Sequence, residues 1–198
     1  VLRGLRVGRG NTDRALGMTV EAAQYFSGMP LTHPVPDQLL ARIGDITVSF
    51  ALLEMTIHTL AGSQLQESQR IGQIITAELS FRSLRALVMS LYRERHGEDA
   101  DFEILRALMK RAGELEGKRN QITHSIWAAG DSPDTITRIK TTAKEARGIR
   151  IDFQHMSAHD LDAIANEMKV LAEETQRFWI NLIESAKGIN DPSQRLWS

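Results

Sequence analysis

Lys118-Arg119-Asn120-Gln121-Ile122-Thr123-His124-Ser125-Ile126-Trp127 sets charged and polar side chains inside an apolar helical pattern, and the reading of this stretch decides the fold. Counting away from Arg119 in both directions, Leu105, Leu108, Ala112, Leu115, Ile122 and Ile126 follow at steps of three and four, the spacing of one buried helical stripe. A helix continuing through Trp127 is therefore expected. Arg119 falls in a core slot of that helix, where a desolvated, unpaired guanidinium is costly, so it needs an anion, a carboxylate or a partner surface. Five residues of an ideal helix turn through about 500°, which leaves Arg119 and His124 about 140° apart while Asn120 and His124 nearly align. Convergence of the arginine and the histidine then calls for a second copy meeting the first across a two-fold axis.

Upstream, Asp99 or Asp101 should open this helix, because a carboxylate suits the positive end of the macrodipole. Gly113 and Gly117 lie one turn apart on the flank that leads to Asn120, His124 and Trp127. They admit either the close approach of another backbone or a break in the helix. A preceding helix over residues 81–96 takes Ser80 as its cap and Gly97 as its stop. Its Phe81, Leu84, Leu87, Val88 and Leu91 point inward, with Arg82, Arg85, Arg93 and Arg95 outside. Within residues 64–79 a shorter helix would turn Ile71, Ile74, Ile75 and Leu79 inward. From Asp37 as N-cap, the stripe Leu39, Ile43, Ile46, Phe50, Leu53, Ile57, Leu60 keeps a 4-3 rhythm to Gly62, which favours antiparallel bundle packing. Glu54 and His58 stand one turn apart beside it, either as part of a site or as a partly exposed i,i+4 pair; their spacing is not that of a di-iron bundle.

Downstream of Gly130-Asp131-Ser132-Pro133 the helical period gives way to alternation, so a small β-hairpin is expected between about residues 135 and 153. Its basic residues Lys140, Lys144, Arg147 and Arg150 serve either to hold RNA or to keep an edge strand soluble. Ser157 and Asp160 form a capping-box pattern that opens a last helix through Leu161, Ile164, Met168, Leu171, Thr175, Phe178 and Leu182 to Gly188. His155 and His159 straddle that cap, and no metal site is expected there. The expected fold is all-α, an antiparallel helical bundle with a small β-hairpin inserted before the last helix. Residues 1–36 read as a flexible tail and lead-in, 37–188 as the helical domain, and 189–198 as a C-terminal tail.

A chain of 198 residues that is 42% hydrophobic suits one medium-sized core. The absence of cysteine excludes disulfides, Cys-ligated zinc and thiol catalysis, and fits a reducing, cytoplasmic setting. No apolar run approaches the ~18–20 residues of a membrane span, so no membrane partner is expected. The net charge of −1 is unevenly spread. Residues 82–150 carry 14 Lys/Arg against 10 Asp/Glu, whereas residues 151–198 carry 4 against 8. Such asymmetry suits a polyanionic substrate and equally suits two solvated helix faces. Gly8-Arg9-Gly10 precedes no strand, so a dinucleotide loop is not read there.

The string Arg119-Asn120-x-x-x-His124 resembles the signature of HEPN domains, in which an arginine and a polar neighbour precede a histidine late in a helical bundle. Ser125 and Trp127 follow as in several bacterial members, and the order of helices, hairpin and final helix is similar over roughly residues 37–187. One toxin branch carries a modifiable tyrosine two residues after the histidine; this chain has Ile126. The family includes endoribonucleases that need no metal, often toxins or antiviral effectors, and members without catalysis. The resemblance thus implies a homodimer, an RNA substrate, in toxin systems a cognate antitoxin protein, and no cofactor. Independently of any family, metal-free RNA cleavage needs a base for the 2′-hydroxyl, a cation for the phosphorane and an acid for the 5′-oxygen. His124 and Arg119 are the candidate catalytic pair, with Asn120, Lys118, Lys144 and Arg147 as substrate-binding candidates. The alternative is a noncatalytic helical dimer that binds RNA or regulates a partner through the same groove.

Overall fold

The structure is a computed structural model that describes residues 34–65, 69–144 and 148–189. Among these residues five helices and three strands follow in the order α1 (Asp37–Gln64), α2 (Gln69–Thr76), α3 (Phe81–His96), α4 (Ala100–Thr123), β1 (Ile126–Ala129), β2 (Thr135–Lys144), β3 (Gly148–Ser157) and α5 (Ala158–Ile189). The described chain is mostly helical, and its strands make one small antiparallel sheet in the order β1-β2-β3.

The long stripe of α1 is buried as its spacing requires: Leu39, Ile46, Phe50, Leu53, Ile57 and Leu60 are almost fully enclosed. Both ends differ from expectation. Pro36 precedes the first turn, Asp37 is the first helical residue, and no side chain caps the helix. At the other end the helix passes Gly62 and stops only after Gln64. Gly62 serves packing instead of termination, since a Cβ added to Gly72 would lie 3.1 Å from the Gly62 Cα. The α2 helix thus docks through its small face, with Thr76 buried beside Gly72. Ile71, Ile74 and Ile75, expected inward, are 42%, 68% and 45% exposed.

Ser80 caps α3 by accepting from the Ser83 amide at 3.1 Å, and Gly97 ends it at φ 78°, a left-handed value that disfavours any side chain. Tyr92, absent from the expected stripe, is buried with its ring 6.0 Å from Phe178 and 6.1 Å from Phe102. Its hydroxyl donates to Asp99 at 3.1 Å, and the same carboxylate accepts from the Phe102 amide to cap α4. Burial, followed by that acidic neighbour, pushes the Tyr92 phenol well above its ordinary value.

Ion pairs fix the helix directions. Arg111–Glu174 and Lys118–Glu167 join α4 to α5 in opposite senses, and Arg85 of α3 reaches both Met109 and Glu116 of α4. The antiparallel expectation fails for α1 and α5, where Arg42–Asp162 and Asp45–Lys169 align two helices running the same way. The cause is local: α5 begins beside the start of α1, with the Ala158 amide donating to the Asp134 carbonyl and the Gln38 amide donating to the Asp134 carboxylate. The expected capping box is formed reciprocally, Asp160 accepting from the Ser157 amide at 2.8 Å and Ser157 Oγ accepting from the Asp160 amide at 3.2 Å.

Helix α4 runs unbroken through Gly113 and Gly117, but only as far as Thr123. The expected continuation to Trp127 is replaced by strand β1, which pairs Ile126 with Ile139 and Trp127 with Arg138, so the hairpin becomes a three-stranded sheet. Side chains from beyond the helix close its last turn: Trp127 Nε1 donates to the Ile122 carbonyl at 3.1 Å, and Ser125 Oγ donates to the Gln121 carbonyl. Ile126, expected in the buried stripe, is 68% exposed.

The two glycines of α4 differ in what surrounds them. A Cβ on Gly113 would fall 2.4 Å from an Arg85 guanidinium nitrogen, whereas one on Gly117 would meet nothing within 4 Å. Gly117→Ala should therefore raise the unfolding free energy by about 1 kcal/mol through helix propensity. Gly113→Ala should lose that gain, because Arg85 must give up the Met109 carbonyl and Glu116. Urea midpoints check the pair; equal stabilisation by both would refute the packing role of Gly113.

Candidate functional site at the end of α4

The last turn of α4 carries the motif, and its geometry follows from what each side chain touches. Arg119 is half-buried, with its guanidinium carbon 4.4 Å from the centroid of the Phe50 ring of α1. Cation–π attraction and the donation of Nη1 to Asn120 Oδ1 at 2.8 Å fix the orientation of the fork. Among the described residues no carboxylate pairs with it. The anion, carboxylate or partner surface expected for a core-slot arginine is not found among the described residues; an aromatic face and an amide, both neutral, stand there instead and leave the positive charge uncompensated.

His124 is the C-cap of α4 at φ −109°, ψ 15°, and its amide donates to the Asn120 carbonyl at 3.2 Å. Its imidazole is exposed, and no hydrogen bond joins it to Arg119. Arg119 turns toward α1, while His124 emerges where the chain leaves the helix for the sheet. Asn120 is shared, its side chain facing Arg119 and its carbonyl holding His124.

The other candidates are distributed differently. Lys118 turns to α5 and forms its 2.7 Å ion pair with Glu167. Lys144 is the last residue of β2 with its side chain outside the described residues, and Arg147 lies wholly outside them. Glu54 and His58 share no hydrogen bond or ion pair. His58 instead lines a cavity of about 360 Å3 with Met55, Gln73 and Trp179, distant in sequence from the motif. A larger cleft of about 550 Å3 runs between α4 and α5 past Ile104, Arg111 and Phe178. Neither includes Arg119 or His124. His155 meets Thr137 at 3.1 Å rather than His159, and among the described residues no group of three His, Asp or Glu is placed to hold a metal ion.

Two contributors went unrecognised in the sequence. Phe50 was expected only as core, although it also carries Arg119. Arg138 was passed over as part of a β-branched run; yet it is 9% exposed and donates from Nη1 to Gln121 Oε1 at 3.0 Å, inside the motif. Strand alternation with Ile136 was the available signal, since it puts Arg138 on the face that Ile136 buries. No family model, curated protein or solved structure matches the chain.

Proposed function

We propose that the chain is a metal-independent endoribonuclease of HEPN type, acting as a homodimer whose composite site takes Arg119 and His124 as catalytic residues. The observation that carries the reading is a guanidinium oriented by a ring face and an amide with no carboxylate among the described residues, on the same helical turn region as an exposed imidazole. Rigid positive charge is what a phosphorane requires, and a solvent-facing imidazole is able to exchange protons. In the reaction His124 removes the 2′-hydroxyl proton, the 2′-oxygen bonds to phosphorus, and the bond from phosphorus to the 5′-oxygen breaks. The leaving oxygen takes its proton from the imidazolium presented by the second copy. Asn120 orients the fork, and Lys118, Lys144 and Arg147 are assigned to the RNA backbone. The resemblance extends the proposal to a toxin or defence role with a cognate antitoxin in the cytoplasm.

Dimerisation is supported by Val48, Leu52 and Met55, which repeat along the solvent side of α1 at 69%, 46% and 57% exposure. Gly113, where either a second backbone or a helix break was expected, is filled by Arg85, so α1 is the better surface. Sedimentation should show a dimer at high micromolar concentration, and Leu52→Glu should yield monomer; a monomeric parent chain would defeat the composite site. Incubation with single-stranded RNA in excess chelator should yield ends bearing 2′,3′-cyclic phosphate.

The noncatalytic dimer is favoured by one observation, the absence of Arg119 and His124 from the two largest hollows described above. RNA bound without cleavage by a purified dimer would select it.

A further inference from the structure

We propose that Arg138 is a phosphate-binding residue working beside His124 within a single chain, a role in RNA cleavage that rests on the ribonuclease reading. The observation is a charge without compensation. Arg138 is 9% exposed and, among the described residues, has no carboxylate partner. Among the described residues its guanidinium donates to the neutral Gln121 amide, and its Nε is buried with no acceptor. Burying a guanidinium on these terms is unfavourable unless an anion approaches.

The location indicates which anion. Arg138 pairs in register with Trp127, three residues after His124, and bonds to Gln121, three residues before it. Residues three apart on a helix are surface neighbours, so Gln121 and His124 share the flank of α4 that meets the sheet, whereas Arg119 leaves from the flank that meets α1. Gln121 is exposed, so the Nη end of Arg138 is drawn toward an exposed amide while its Nε end stays buried. A fork presented edge-on in this way matches a phosphate oxygen, and its planar geometry distinguishes it from a lysine. Within one chain Arg138 is then the cation tied to the strand that follows His124, with Arg119 serving the site from the other protomer.

Inorganic phosphate is the probe, followed by nitrogen-15 and proton NMR of the Arg138 Nε–H and of the His124 ring in the full chain. Phosphate should shift both saturably, and chloride at equal ionic strength should shift neither. Arg138→Gln should weaken the His124 response at least about tenfold, with Arg138→Lys intermediate because the charge stays and the fork is lost. An Arg138 signal unmoved by phosphate in the unmutated chain, or a His124 response unchanged in Arg138→Gln, overturns the proposal. A phosphate response in a protein that cleaves no RNA would leave the anion site standing and remove the ribonuclease.

Discussion

His124→Ala should reduce RNA cleavage by about 10²–10⁴-fold, the usual contribution of a positioned general base, without unfolding the protein. The imidazole is exposed, and the structural part of His124 is played by its backbone amide, which alanine retains. Arg119→Ala should cost about 10²–10³-fold through lost stabilisation of phosphorane charge. Asn120→Ala should be milder, since the amide orients the arginine and takes no proton. The measurement is kcat/KM on a single-stranded RNA, with the dimer verified for each variant. Full activity of His124→Ala, or chelator inhibition reversed by added divalent metal, would remove this mechanism and leave the binding module.

The largest effect on stability should come from Phe50→Ala, which is expected to lower the unfolding free energy by about 3–5 kcal/mol. Phe50 is 1% exposed, lies 4.9 Å from the Phe81 ring, and carries the Arg119 guanidinium on its face. Phe50→Leu separates these roles. It should recover most of the stability, because leucine fills much of the same space, yet remove the aromatic platform and let Arg119 wander. Denaturant midpoints measure the first effect and kcat/KM the second. Wild-type cleavage by Phe50→Leu would show that the ring does nothing for the site.

The helices of the core were legible because their signals are local and repeated. Ser80, Gly97, Ser157 and Asp160 each act at the terminus that their chemistry indicates, and the α1 stripe is buried as spaced. Strand β1 was not legible. It has four residues, too few to declare a period of two, and Ile126 stands four residues after Ile122, which satisfies the helical rhythm equally well. Orientation was hidden for another reason: the α2 isoleucines read as a core face, whereas the closest packing is available at Gly72 and Gly62. Arg119 and His124 were recognisable as residues, but the flank each occupies depends on Phe50 and on the strand that ends the helix, both tertiary facts.

The parallel alignment of α1 and α5 sets the order in which this protein is able to fold. These two helices share the most extensive helix–helix interface, although Arg42 and Asp162 are 120 positions apart in the chain. During synthesis α1 precedes all its partners, and although α2, α3 and α4 cover part of it, its most extensive cover is made last. A chain cut after Ser157 would leave α1 without its most extensive partner and should be retained by chaperones or aggregate instead of forming a smaller domain. Closing so long a loop before its contacts repay the entropy should also make refolding slower than that of bundles built from neighbouring helices.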